Sequence, residues 1–80
     1  MPKITYPYLV RLPQYIGLAI KDSRKKKNWT QKDLADYTAT SVKFISNVEQ
    51  GKGTAQLDKV FDLIKALGLR VYLTEGDIEK

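Results

Sequence analysis

The chain has 80 residues, 14 Lys and Arg against nine Asp and Glu, a formal charge of +5, no cysteine and no histidine. That length holds one small domain with a marginal core, and neither a disulfide nor a Cys/His metal site is available to reinforce it. The same absences remove thiol and imidazole nucleophiles and bases, so an enzyme is not expected, nor a cofactor, metal or small-molecule ligand. Residues 1–11 carry Pro2, Pro7, Tyr6 and Tyr8 without a helical period and read as an N-terminal arm. Pro13 suits the first turn of a helix, where a missing N–H costs nothing. Ile16, Ala19, Ile20 and Ser23 then recur at helical spacing, which predicts a first helix over about 13–27. Its last turn, Arg24-Lys25-Lys26-Lys27, favours the negative end of the helix dipole, and Asn28 suits a left-handed stop.

Thr30 is an N-cap with Asp33 three places on, so a short second helix is expected over 31–37, with Leu34 and Ala35 inward. Thr38-Ala39-Thr40-Ser41 makes a turn ending in another cap. A third helix covers 42–50, anchored by Ile45 and Val48 and stopped by Gly51. Thr54 is expected to cap a fourth helix, in which Leu57, Val60, Phe61, Ile64 and Leu67 form the strongest apolar period of the chain before Gly68 ends it. From Leu69 to Thr74 the period becomes two, the pattern of one strand. A lone strand leaves its backbone groups without partners. The only other strand candidate is the weak stretch Tyr8 to Arg11, so pairing of Leu69, Arg70, Val71, Tyr72 and Leu73 with their copies in a second subunit is the economical reading.

The charge is unevenly placed. Through Leu73 there are 13 basic and six acidic residues, a net of +7, whereas the last seven residues carry three acids and one lysine, a net of −2. A basic body with an acidic end fits a polyanion-binding surface, although ordinary solubilising charge also accounts for it. The N-terminus has no unbroken apolar leader, and no stretch approaches the ~18 to 20 apolar residues of a membrane span, so a cytoplasmic, nucleoid-associated protein is expected.

Two short helices joined by a tight turn, the second opening with polar and small residues, are the pattern of a helix-turn-helix. With Ile45 and Val48 beneath, Ser41, Val42, Lys43, Phe44, Ser46 and Asn47 are expected to point away from the core. A plainly solvated polar face is the lesser alternative for these residues. An outward Phe44 would favour a contact surface instead. Gly51-Lys52-Gly53-Thr54 lacks the spacing and the preceding strand of a phosphate-binding loop. Asp58 and Asp62, interleaved with Lys59 and Lys65, read as a solvated helix face, as do Asp33 and Asp36. The five tyrosines share no helical face and read as packing residues.

The stretch WTQKDLADYTATSVKFISNVEQGK resembles the helix-turn-helix of the phage-repressor-like (XRE) regulators, with their T-Q-x-x-L-A, turn and I-S-x-x-E-x-G-K pattern. Through GKGTAQLDKVFDLIKALGLRVYL the likeness is to HipB-type antitoxins and covers about three quarters of the chain. The resemblance implies a mainly α, compact four- to five-helix repressor-like domain over 12–68, one C-terminal β-strand over 69–74 pairing across a dimer, and an acidic end over 75–80. It implies operator DNA as the partner of a homodimer and a HipA-like kinase as a second partner, the chain being the antitoxin of that toxin and the repressor of their operon. Ser41, Val42, Lys43, Phe44, Ser46 and Asn47 then lie near base edges, where Lys43 suits guanine, Asn47 adenine, and Val42 or Phe44 a thymine methyl. Thr30, Gln31, Gln50 and Lys52 match positions that hold the sugar-phosphate backbone. Lys25, Lys26 and Lys27 suit flanking phosphates or plain solvation. Arg24 and Glu49 match an ion pair between the first and third helices. The chain departs from its relatives in carrying Ala39 where many have glycine, in the apolar Val42 and Phe44, and in stopping seven residues after Leu73. A stand-alone regulator without a toxin, or a toxin-binding module for which DNA is secondary, remain alternatives.

Overall fold

The computed structural model describes residues 4–52 and 55–76. Four helices follow in chain order among them: α1, Pro13–Lys26; α2, Gln31–Thr38; α3, Val42–Glu49; and α4, Leu57–Ala66. Local chemistry explains most of their ends. Leu12 precedes α1 in extended conformation without a side-chain cap, and Pro13 takes the first turn. Past Lys27, Asn28 turns left-handed at φ 59° and the Trp29 N–H returns to the Arg24 carbonyl at 3.2 Å.

The start of α2 is a full capping box. Thr30 Oγ1 accepts from the Asp33 N–H at 3.0 Å, while the Thr30 N–H donates to Asp33 Oδ2 at 2.8 Å. The Thr30 backbone N–H, helped by its side chain, holds the Asp33 carboxyl below its ordinary value. Helix α2 runs one residue further than expected, because Thr38 Oγ1 donates to the Leu34 carbonyl at 2.8 Å and stays helical. Ala39 then takes φ 56° and ψ 41°, a left-handed alanine that costs about 1 kcal/mol. The Thr40 N–H reaches back to the Ala35 carbonyl at 2.9 Å, and Ser41 Oγ caps α3 by accepting from the Phe44 N–H at 3.0 Å. Gly51, at φ 74°, stops α3. Gln56 precedes α4 without a side-chain cap, and the expected cap, Thr54, lies outside the described residues.

Helix α3 packs on α1 and α2, and α2 also meets α4. The shared core joins Ile20 of α1, Leu34 and Ala35 of α2, Ile45 and Val48 of α3, and Val60, Leu63 and Ile64 of α4, closed by Leu67. The fourth helix corrects its sequence reading. Leu63 is fully buried, whereas Leu57 and Phe61 are 65 % and 40 % exposed. An apolar stripe spans a wide arc of a helix, and the described residues bury the edge occupied by Val60, Leu63 and Ile64.

No strand forms among the described residues. Leu69 rests against the core, but Val71, Tyr72 and Leu73 are exposed, Leu73 almost completely, and Tyr8 to Arg11 is not a strand either. The arm is not detached from the body: Ile4 is buried, and Tyr6, Tyr8 and Tyr15 make an edge-on ladder with successive ring centroids 6.4 Å apart. Among the described residues no helix is long and apolar enough to cross a membrane.

Candidate nucleic-acid interface

Three residues, Ala39 to Ser41, separate α2 from α3, and the crossing is closed by Leu34 and Ala35 against Ile45 and Val48. The far side of α3 is the candidate reading surface. Val42 and Lys43 are exposed there, and Ser46 and Asn47 are half-buried. The side chains of Lys43 and Asn47 make no hydrogen bond within the described residues, so their donors and acceptors are open to a partner. Ser41 is exposed but uses its hydroxyl as the helix cap, and Ser46 Oγ accepts from Gln50 Nε2 at 2.9 Å. Phe44 is the correction on this face. It is partly buried and packed against the core cluster, so the outward aromatic expected from the sequence is absent. At i−1 from Ile45 its side chain swings under α3 toward apolar neighbours, where burial is worth more than exposure.

The backbone-contact candidates divide by what they already do. Thr30 is committed to the capping box. Gln31 Nε2 donates to Glu49 Oε1 at 3.2 Å, which turns this side chain toward α3. Gln50 and Lys52 are exposed at the end of α3, where the Lys52 N–H closes the corner on the Asn47 carbonyl at 3.0 Å. That corner is held tightly: a side chain on Gly51 would overlap the Gln14 Cβ and sit 2.8 Å from its Cα. Of the three consecutive lysines, Lys25 has no partner among the described residues. Lys26 meets Asp22 at 3.1 Å and the Tyr6 ring, and Lys27 stands 6.0 Å over Trp29.

Arg24 and Glu49 meet beneath this surface. Arg24 Nε donates to Glu49 Oε2 at 2.8 Å and its Nη2 to Oε1 at 3.1 Å, a two-pronged pair with both side chains buried. Arg24 Nη1 also donates to the Trp29 carbonyl at 2.7 Å. With Gln31 added, one carboxylate ties α1, α2 and α3 together. The sequence reading did not find the Gln31 link, the Trp29 carbonyl or the close approach at Gly17. A glycine inside an apolar helical period was the available signal for the last of these.

Comparisons with known proteins agree with this geometry. A helix-turn-helix family matches residues 20–72. The chain is 34 % identical over 72 residues to the uncharacterized HTH-type transcriptional regulator y4mF of Sinorhizobium fredii, covering 89 % of this chain and 95 % of that protein. It is 50 % identical over 36 residues to the competence pilus inhibition repressor of Acinetobacter baylyi, covering 45 % of this chain and 33 % of that protein. Among solved structures, a HipA–HipB–O2–O3 complex contains a chain similar at a TM-score of 0.77 and 26 % identity, over 86 % of this chain and 97 % of that one. A HipB–O4 20mer complex matches with the same score, identity and coverage. The chain belongs to the helix-turn-helix family of phage-repressor-like (XRE) DNA-binding transcriptional regulators.

Proposed function

We propose that the protein is a sequence-specific repressor that binds a palindromic operator as a symmetric homodimer and acts as the antitoxin of a HipA-like kinase. The observation that carries the DNA reading is α3 itself. It stands clear of the core on one side, has the buried Arg24–Glu49 pair beneath it, and presents Lys43 and Asn47 with unused polar groups. Lys43 is suited to guanine O6 and N7, Asn47 to an adenine edge, and Val42 to a thymine methyl. Ser41, Ser46 and the inward-turned Phe44 shape the surface. Thr30, Gln31, Gln50 and Lys52 lie at its margins, where the Gln31 and Lys32 N–H groups at the start of α2 suit a phosphate.

The dimer is supported by apolar surface that the chain leaves bare. Among the described residues, Leu57 and Phe61 of α4, with Val71, Tyr72 and Leu73 beyond it, keep 40 % or more of their surface exposed. A strand over 69–74 gains its ladder by pairing with a second copy, which brings two α3 helices to successive major grooves. The kinase partnership rests on likeness to HipB in a complex with HipA, and copurification with the product of the adjacent gene tests it.

The DNA reading is tested by gel shift on the protein's own upstream region. Lys43→Ala or Asn47→Ala should weaken the best site tenfold or more, from the loss of about 1–3 kcal/mol per base contact. Equal binding by both variants removes these residues from the groove. In the same series Val71→Pro deletes a ladder donor. It should halve the mass seen by light scattering and lose the palindrome, whereas an unchanged mass rejects the strand-paired dimer.

A further inference from the structure

The run Lys25-Lys26-Lys27 looks uniform in the sequence, but its middle member is already in use. Lys26 Nζ lies 3.1 Å from Asp22 Oδ2, one helical turn earlier, and 5.4 Å from the centroid of the Tyr6 ring. The approach to Asp22 is ionic. Oδ2 is shielded from solvent and finds no aligned hydrogen-bond donor among the described residues, so the ammonium supplies the charge that it faces. On its other side the ammonium meets the negative face of an aromatic ring, within the ~6 Å over which that attraction acts. Tyr6 belongs to the arm and continues into the ladder Tyr6–Tyr8–Tyr15, which runs onto α1. Burial, and then the Asp22 carboxylate, raise the Tyr6 phenol above its ordinary value, while Lys26 acts in the opposite direction.

The path of the arm beyond Tyr8 gives this contact a consequence. Val10 and Leu12 line the same apolar groove as Val48, Gly51 and Lys52. The arm therefore stands next to the corner at the end of α3, where Lys52 is proposed to meet the DNA backbone.

We propose that Lys26 is a positioning residue and not a phosphate ligand: held between Asp22 and the Tyr6 ring, it pins the N-terminal arm on α1, and the pinned arm supports the Gly51–Lys52 corner for DNA. This inference rests on the DNA-binding reading for its second half only. A phosphate ligand and a positioning residue differ in salt dependence, because each neutralised phosphate contributes about 0.9 to the slope of log affinity against log salt.

The experiment uses the full chain with 13Cζ-labelled tyrosine, and compares the parent with Lys26→Met, Lys26→Arg, Tyr6→Leu and Lys52→Ala. Lys26→Met should shift the Tyr6 resonance and move its titration to higher pH, since a neighbouring cation is lost. It should also weaken operator binding by about two- to fivefold, the scale of one exposed cation–ring contact, with the salt slope unchanged. Tyr6→Leu should reproduce that binding loss, and Lys26→Arg should restore both signals, because guanidinium serves the same two partners. Lys52→Ala should flatten the slope by about 0.9 per subunit. A flattened slope in Lys26→Met, an unmoved Tyr6 resonance, or unchanged affinity each overturns the proposal. If the parent binds no operator DNA, the DNA reading fails on that result alone, and the Tyr6 resonance still decides whether Lys26 pins the arm.

Discussion

Alanine at Gly17 is expected to destabilise the domain by about 2 kcal/mol, a fall in melting temperature of roughly 10 °C for a domain of this size. Two effects oppose each other at this position. In the middle of a helix alanine is better than glycine by about 0.5–1 kcal/mol, because it restricts the unfolded chain and loses less on folding. Gly17, however, is buried where α1 crosses the end of α3. A Cβ placed on it would overlap the Val48 carbonyl oxygen, and it would lie 3.0 Å from the Glu49 oxygen and 3.1 Å from the Glu49 carbonyl carbon. These are backbone atoms at the last turn of α3, so no rotamer change relieves the contact. To accommodate the methyl group α3 must move away from α1, and overpacking of this kind typically costs about 1–3 kcal/mol. Steric overlap outweighs propensity. Thermal unfolding of Gly17→Ala against the parent reads the net sign of the two effects. If Gly17→Ala melts at or above the parent temperature, the α1–α3 approach is looser than described.

That close approach illustrates what could and could not be read from the sequence. Signals that act within one turn were legible. Thr30, Asp33 and Ser41 cap where their hydroxyl and carboxylate groups can reach nearby N–H groups, and Asn28, Gly51 and Gly68 end helices through positive φ. The Arg24–Glu49 pair was legible only through family resemblance, since 25 positions separate the two residues. The misplacements share one cause. Phe44, Leu57 and Phe61 all satisfy an apolar period, and the period does not say which edge of the stripe another helix will cover. Phe44 packs against the core cluster although Val42 and Lys43 in the same turn are exposed. Leu57 and Phe61 turned outward because α4 meets α2 along its other edge. The double engagement of Lys26 was hidden for the same reason: a lysine run on a helix end has no mark that distinguishes a residue facing a folded arm from its neighbours.

Glu49→Ala is expected to be more damaging still, removing about 3–5 kcal/mol of the stability of the domain. The substitution removes little apolar surface but strands a guanidinium. The Arg24 side chain is only 8 % exposed, and of its three bonds two go to Glu49 and one to the Trp29 carbonyl. Breaking one side of a buried pair costs about 3–5 kcal/mol, against a total of about 5–15 kcal/mol for a typical domain. Gln31 Nε2 loses its acceptor at the same time. Urea unfolding at fixed protein concentration measures the loss, the concentration being held because dimerisation would add to apparent stability. The more informative variant is the double replacement Arg24→Met with Glu49→Leu, which removes both charges and keeps their volume. Buried pairs replaced in this way often retain or gain stability, because neither ion must then be desolvated. The double variant should accordingly unfold at higher urea than Glu49→Ala. Stability and DNA binding then come apart: an apolar pair fills the space between α1 and α3 but has no directional bonds to set the pitch of α3, nor an acceptor for Gln31. A double variant that is folded and still reads the operator as tightly as the parent would show that packing alone orients α3. One that is folded and binds the operator tenfold or more weakly assigns that orientation to the carboxylate of Glu49.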